Sequence, residues 1–473
     1  MTAVLAQPDA PSSSTPAVDI ECSCRAALTA LFYSAAIWLV IATGLSLFAS
    51  VKLHAPALLS HHGSLSFGRV RPAALDSFLY GFAVPSALGV GLWILSRLGH
   101  TKLVAPLSVI LGLAFWNLAV TVGILGILGG DSTGYTAFEM PRYAAPMLFA
   151  GYLLIAIPAL LTFHARAAGP VYPSQYYFLG AVFWFPWIFS TAAMLLLCAP
   201  VRGVFQASLD WWYANNLEEV FLGFAGLGSI LYFVPKLIGR PLHSGPLAAF
   251  ALWMLAFFGG CGGIPAGSPL PVWMPGLSTV ATSFTSVAAL AIAVNIYLTS
   301  RRDFHAFDAN PTLRFSYVAF IFWLIATAQQ NVGALPRVTA LTGLTWFGVA
   351  QRDLQFYGFF GFAIFGALYY ILPRLLDAQW CPRLLAAHFW LSLIGVLALY
   401  LPLVVGGVIQ GIMLSDPRNP FMDVLRGTMV AVRASTLGDL LIFTGAVVFL
   451  VNFTGLLCQS GNRLRTQVLE RIS

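Results

Sequence analysis

Hydrophobic segments of about twenty residues recur along nearly the whole chain, and this repetition constrains the fold most. Each segment is long enough to cross a hydrocarbon layer of about 30 Å as an α-helix. We place them near residues 26–51, 74–96, 103–128, 144–164, 174–199, 215–235, 246–262, 277–299, 314–332, 354–373, 386–412 and 434–458. Only 9% of the residues are charged, against about 25% in a soluble domain. The sequence therefore predicts an all-α membrane protein with about twelve spans.

The links between the segments are short, so we expect one membrane domain at 26–458 with a tail at each end. Residues 1–25 are rich in Ser, Pro and Ala, which is typical of a disordered tail. Residues 459–473 form the second tail. Lys and Arg are moderately enriched on the side of both termini, which predicts cytoplasmic tails and a multi-pass protein of the bacterial inner membrane. The basic residues are scattered, so we expect lipid as a partner and no nucleic acid.

Five local strings carry the functional signal: FGRVRP at 67–72, WWYANN at 211–216, LYFVPKLIGRP at 231–241, FGALYYILPRLL at 365–376, and the long segment at 388–413. In order and spacing they resemble subunit I of the haem-copper oxidases, and most of all the C family, the cbb-type cytochrome c oxidases. The resemblance covers about residues 25–458. It implies the twelve-helix subunit I arrangement, two b-type haems, one copper ion, and cytochrome c-type partner subunits in a respiratory chain. The chain has no CxxCH motif, which excludes a covalent c-type haem on it.

The resembled family needs six histidines, because neutral imidazole holds haem iron and copper inside the bilayer. Ungapped comparison within each motif assigns the haem-ligand positions to Ala74, Gln351 and Asp353. It assigns the copper-ligand positions to Asn215, Gly263 and Ile264. None of the six is histidine. We therefore predict no catalytic, cofactor-binding or metal-binding residue and no haem or copper.

Two further family positions agree with this loss. A tyrosine that joins a copper ligand corresponds to Phe257, and a glutamate on the ninth span corresponds to Gln329. The chain has eight histidines, and we expect all of them in links or near span ends: His54, His61, His62, His100, His164, His243, His305 and His388. A surface metal site at His61 and His62 is the alternative for that pair, although two neighbours make no complete site.

Ionisable residues at membrane depth are candidates for function because their burial is costly. The sequence offers one cluster near the lost metal positions, made of Asp76, Glu218, Glu219, Arg352 and Asp353. One hypothesis pairs the carboxylates with Arg352 or Arg337 inside the bundle. The favoured interpretation is that all five lie shallow enough to reach water. A third hypothesis is an oxygen-ligand metal site, which would comprise Asn215, Glu218, Glu219, Cys261 and Asp353.

Larger side chains stand where the resembled family has small ones beside its haems. The resemblance implies this change at Leu75 on the second span, at Ala214, Leu217 and Glu219 on the sixth, and over Leu354, Gln355, Phe356 and Tyr357 on the tenth. Because interiors tolerate few voids, we expect these side chains to fill the space of the haems.

Three functional hypotheses remain. The first is a catalytically silent subunit I homologue that serves as a structural, assembly or partner subunit. The second is a working terminal oxidase or nitric-oxide reductase subunit with unrecognised ligands. The third is a repurposed channel or carrier lined by the polar cluster. Fold alone does not decide among them.

Overall fold

The computed structural model describes residues 17–302 and 310–472, and the regular structure within these ranges is helical. Eleven helices there are long and apolar enough to cross a membrane. A shorter apolar helix, Gly245–Phe257, stands in the place of the seventh predicted span. We number the twelve in chain order: α1 Ala17–His54, α2 Phe67–Leu98, α3 Pro106–Gly129, α4 Ala144–His164, α5 Pro173–Cys198, α6 Val204–Ile238, α7 Gly245–Phe257, α8 Trp273–Ser300, α9 Pro311–Gly333, α10 Trp346–Leu376, α11 Pro382–Ser415 and α12 Phe421–Ile472.

The all-α membrane fold is thus confirmed, while several helix boundaries differ from the predicted ones. Helix α1 begins at Ala17, so the part of the predicted N-terminal tail from 17 to 25 is helical. The first turns are held by ion pairs of Asp19 with Lys102 at 3.2 Å and of Glu21 with Arg97 at 3.8 Å. Residues 1–16 lie outside the described ranges. Hydropathy underestimates helix length because polar end turns remain helical beyond the apolar stretch.

Helices α2, α6 and α10 form the centre of the bundle. The most apolar stretch of α2 is buried along its whole length, and 83% of the corresponding stretch is buried in both α6 and α10. In α11 and α12 the share is 39%, because their outer faces are the ones that would contact lipid. The three central helices carry most of the positions singled out from the sequence.

The outer helices are joined by close backbone approaches and by buried polar contacts. Gly438 of α12 packs directly on the backbone of Leu399 of α11, where a Cβ atom could not be accommodated. On the other side, Asn117 Oδ1 of α3 accepts hydrogen bonds from Ser34 Oγ and Trp38 Nε1 of α1, each at 2.8 Å. Small residues and polar side chains are the usual means of joining helices in membranes.

Each central helix contains one stretch of wider, π-helical turns, at Ser77–Ala83 in α2, Asn216–Phe221 in α6 and Leu354–Gly361 in α10. All three lie near the end of the bundle at which α2, α6 and α10 begin, which we call the cluster end. Such π-bulges occur frequently at functional sites.

Candidate functional site

The positions assigned to lost copper ligands meet at the cluster end. Asn215 of α6 donates from Nδ2 to the carbonyl of Gly259 at 2.8 Å, just beyond the end of α7. Gly263 follows on the same segment with φ of +94°, and a Cβ atom there would collide with the Asn215 side chain. The backbone N–H of Ile264 donates to Ser278 Oγ of α8 at 2.9 Å. The three positions that motif comparison assigns to copper ligands are therefore close together in space, as a shared site requires.

The π-helical turns begin one to three residues after replaced ligand positions. In α6 the wide turn starts at Asn216, one residue after Asn215, and in α10 it starts at Leu354, one residue after Asp353. In α2 it starts at Ser77, three residues after Ala74. A π-turn rotates the following side chains relative to a regular α-helix, so it redirects the residues that face the centre of the bundle.

The space between α2 and α10 is occupied by aromatic rings. Phe78 stacks on Phe356 with ring centroids 5.2 Å apart, and Tyr357 meets Phe78 edge-on at 5.0 Å. Leu217 of α6 is fully buried, whereas Leu75 is only half-buried. The remaining cavity beside Phe78 and Tyr357 has a volume of about 20 Å³, which is room for about one water molecule.

The polar residues of the cluster end are joined by one hydrogen bond and by two ion pairs, the second of which is between Asp353 and Arg71. Arg352 Nε lies 3.5 Å from Glu218 Oε2, and Gln351 Nε2 donates to Glu219 Oε1 at 2.9 Å. Asp353 is 6% exposed and Glu218 is 9% exposed. The interpretation that the cluster reaches water is therefore wrong for these two carboxylates, each of which is buried and paired with an arginine.

The cation paired with Asp353 is Arg71 of α2, at 3.6 Å. Arg71 also donates to Ser46 Oγ at 3.3 Å, and Ser46 in turn donates to Asp439 Oδ1 at 3.1 Å. Arg71 belongs to the string FGRVRP, but the sequence analysis predicted no partner for it. It did not predict Asp439 as a site residue. The sequence signal available for Asp439 was a lone carboxylate within the apolar twelfth span.

Asp76 does not join this network. Its carboxylate lies against the carboxyl group of Glu139, from the link between α3 and α4, and it is fully buried. None of the ion pairs among residues 17–302 and 310–472 includes either group. Burial, and then the adjacent Asp76, raises the pKa of Glu139 well above its usual range. The expectation that Asp76 reaches water is therefore wrong, and Glu139 is a site residue that the sequence interpretation missed.

Two buried tyrosines continue from this carboxyl pair. Tyr80 donates its hydroxyl proton to the carbonyl of Ala137 at 2.6 Å. The Tyr213 hydroxyl lies 2.6 Å from that of Tyr80 and acts as its donor, since the proton of Tyr80 is already used. These contacts attach the α3–α4 link to both α2 and α6 beside the polar cluster.

Comparison with known proteins now identifies the family. The family model for Cytochrome C and Quinol oxidase polypeptide I matches residues 26–441. The chain belongs to this family. It is 24% identical over 442 residues to the Cbb3-type cytochrome c oxidase subunit CcoN1 of Stutzerimonas stutzeri, covering 88% of this chain and 91% of the relative. It is also 24% identical over 447 residues to Cytochrome c oxidase subunit 1 of Rhodobacter capsulatus, covering 88% and 82%.

A third relative, a Cytochrome c oxidase subunit 1 homolog of Azorhizobium caulinodans, is 24% identical over 375 residues, which is 74% of this chain and 66% of that one. Together these matches confirm the resemblance to haem-copper oxidase subunit I. The protein is therefore a multi-pass membrane protein of the oxidase subunit I type.

The residues at the assigned ligand positions do not fit the haems and copper of this family. Alanine and glycine offer no donor atom, the Asn215 amide is bound to Gly259, and the Asp353 carboxylate is bound to Arg71. Any side chain at Gly263 would meet Asn215. The cavity beside Phe78 and Tyr357 has a volume of about 20 Å³, and a haem is far larger than the one water molecule that this space admits.

The structure also places three other residues that the sequence analysis named. Phe257 is 65% exposed and stacks on Trp253, while Leu255 lies beside Asn215, because two positions along a helix point to opposite sides. Arg337 is exposed and forms no ion pair within the described residues. Gln329 is buried and donates to the carbonyl of Phe347 at 2.9 Å.

The oxygen-ligand metal site is not assembled as expected. Cys261 is exposed, and arginines already pair with Glu218 and Asp353. Within the described part of the chain, no three His, Cys, Asp or Glu residues are grouped closely enough to hold a metal ion. His61 and His62 are both exposed in the α1–α2 link.

One histidine is not where the sequence placed it. His388 of α11 is fully buried, and its Nδ1 lies 2.8 Å from the Tyr369 hydroxyl of α10. The expectation of a link or interfacial position is wrong for His388, since the helix begins six residues earlier at Pro382. His305 lies outside the described ranges.

Proposed function

We propose that this protein is a catalytically silent homologue of oxidase subunit I that acts as a structural, assembly or partner subunit. It would stand beside respiratory haem proteins in the bacterial inner membrane, with both termini in the cytoplasm. The observation that carries the proposal is the chemistry at the six assigned ligand positions. Oxygen reduction by this family depends on imidazole ligands, and amide, carboxylate and apolar side chains stand there instead.

Packing supports the same proposal. Asp353 and Glu218 are balanced by Arg71 and Arg352, and the rings of Phe78 and Phe356 occupy the space between α2 and α10. Arginine pairing and aromatic packing stabilise the bundle without a cofactor, so the subunit I fold can persist as a scaffold.

The alternative of a working oxidase with other ligands would need several buried imidazoles. Among the described histidines, His388 alone is buried, and it is already hydrogen-bonded to Tyr369. The alternative of a channel would need a continuous polar passage. The cavities beside Asp353 and beside Glu219 measure about 30 Å³ and 10 Å³, room for about two water molecules and about one.

The test is purification of the tagged, full-length chain from its native membranes, followed by mass spectrometry of the proteins that co-purify. We expect cytochrome c-type subunits of a respiratory complex, at near-stoichiometric amounts and absent from an untagged control. Recovery of this chain alone, as a monomer or homo-oligomer, would contradict the partner role. The same preparation, assayed for oxygen consumption, separates a silent partner subunit from a working oxidase.

A further inference from the structure

A small polar cavity lies between α6, α7, α8 and α9, next to the assigned copper-ligand position Asn215. Its volume of about 10 Å³ is close to the smallest space that holds one water molecule or one bare ion. The polar residues of its lining come from three helices: Asn215 and Glu219 of α6, Thr282 and Thr285 of α8, and Thr327 and Gln330 of α9. Leu255, Gly259 and Trp323 complete the lining, so the cavity has one polar side that faces an apolar one.

Glu219 is the one carboxylate of this cavity, and it has no cationic partner among the described residues. The neighbouring carboxylates differ, since Glu218 is paired with Arg352 and Asp353 with Arg71. Glu219 receives a single hydrogen bond, from the neutral amide of Gln351. Glu219 is half-buried at membrane depth, where a charge needs compensation by an opposite charge. The cavity therefore adjoins a negative charge that the protein itself does not balance.

The neutral groups of the lining have oxygen atoms to offer. Thr282 and Thr327 are each 5% exposed, and within residues 17–302 and 310–472 neither hydroxyl has a hydrogen-bond partner. Thr285 is already satisfied, since its hydroxyl donates to the carbonyl of Thr282 at 2.6 Å and accepts from Asn331 Nδ2 at 3.1 Å. Asn215 uses its amide nitrogen on Gly259, so its Oδ1 is free to accept.

We propose that this cavity is a sodium-ion site. Hard cations bind carboxylate, hydroxyl and amide oxygens, which is the set that these residues supply. One carboxylate balances one positive charge, so a monovalent ion fits the local charge, whereas a divalent ion would leave one charge uncompensated. A carboxylate oxygen is a strong-field ligand, which favours sodium over the larger potassium ion. The site differs from the expected oxygen-ligand metal site, which needed Glu218, Cys261 and Asp353.

The sodium site goes beyond the proposed partner role and does not depend on it. A cation here would connect α6, α8 and α9, beside the position on α6 that motif comparison assigns to a copper ligand. Its binding would stabilise the folded chain by an amount that grows with the logarithm of the free ion concentration relative to Kd.

The test uses the purified full-length chain in lipid nanodiscs and measures equilibrium binding of ²²Na⁺. We expect saturable binding of one ion per chain, together with a higher Tm in NaCl than in KCl or N-methylglucamine chloride at equal ionic strength. Glu219→Gln keeps the shape but removes the charge, and it should abolish both effects. Thr327→Val should weaken sodium binding by roughly tenfold, as the loss of one supporting group commonly does.

Thr121→Val is the matched control, because Thr121 is exposed on α3 and bonds only the carbonyl of Asn117 in its own helix. It should bind sodium like the wild type. Equal Tm values in all three salts, or unchanged binding by Glu219→Gln, would overturn the proposal. A Tm that depends on pH but on no particular cation would also overturn it, since a protonated Glu219 beside a water molecule would behave in that way. If Glu219→Gln does not fold, unchanged binding by Thr327→Val decides against the site.

Discussion

The rings of Phe78 and Phe356 stack with centroids 5.2 Å apart and join α2 to α10, the two helices that carry the assigned haem-ligand positions. Phe78 is 1% exposed and Phe356 is 2% exposed, so this contact belongs to the core of the protein. In a cofactor-binding relative the space between these helices must admit a macrocycle. Here it is filled by side chains of the chain itself, which has consequences for both spectroscopy and stability.

The first prediction is spectroscopic. The purified chain should show no reduced-minus-oxidised signal of b-type haem and no stoichiometric copper. A haem iron without axial imidazole would retain only the apolar contribution of its ring, and Ala74, Gln351 and Asp353 supply no Met, Cys or Tyr as substitute. The measurement is a pyridine haemochrome assay with metal analysis of the same sample. One haem per chain would show that ligands exist which the motif comparison did not find.

The second prediction concerns the aromatic filling. Phe356→Ala should lower the free energy of unfolding by about 3–5 kcal/mol, the range for removing a large buried aromatic side chain. The measurement is unfolding by denaturing detergent in mixed micelles. Phe183→Ala is the matched control, since Phe183 is 61% exposed on α5 and should cost much less. Equal losses for the two variants would mean that Phe356 packs no better than a surface residue.

A third prediction concerns restoration of one copper ligand. Asn215→His should not produce oxygen reduction, because copper would still lack two ligands and a facing haem. The local structure also opposes it, since Gly263 packs directly against residue 215 and leaves no room for a second histidine there. The measurement is oxygen consumption by the purified variant with a reduced electron donor, compared with the wild type. Turnover above the wild-type background would show that the ligand assignment is wrong.

The fold could be predicted well from the sequence, because the length of each apolar segment is a local property that the bilayer fixes. The direction in which each side chain points could not. The rotation of Phe257 away from the cavity depends on where α7 ends, and the wide turns after Asn215 and Asp353 depend on packing against neighbouring helices. The ion-pair partner of each charged residue could not be predicted either. Arg71 and Asp353 are far apart in sequence, and nothing in either segment alone indicates that they pair.

Glu139 shows the same limit, since hydropathy places it in an ordinary link between two spans. The structure shows a buried carboxyl group, 8% exposed, that lies against Asp76. From the sequence alone, a carboxylate in a link between two spans is expected to be exposed to water. Glu139 is buried because the α3–α4 link packs against α2. The consequence can be tested through pH.

The fourth prediction is that Glu139 makes the protein less stable as the pH rises. Burial and the neighbouring Asp76 raise the pKa of Glu139 in the folded state above its ordinary value of 4.5. Between those two values the folded protein holds a proton that the unfolded chain releases, so the free energy of unfolding falls with increasing pH across that window. Glu139→Gln has no proton to lose. Its Tm, followed by tryptophan fluorescence from about pH 5 to 8, should therefore fall less steeply than that of the wild type.

The control for this prediction is Asp416→Asn in the link between α11 and α12. Hydrogen bonds from Arg418 lower the pKa of Asp416, so its contribution to stability is present above the ordinary value of 3.8 and is lost only as the pH falls below it. Over about pH 5 to 8, Asp416→Asn should therefore shift the Tm by a constant amount and leave the slope of the wild type unchanged. If Glu139→Gln keeps the wild-type slope as well, Glu139 is ionised in the folded protein and the link between α3 and α4 does not bury it.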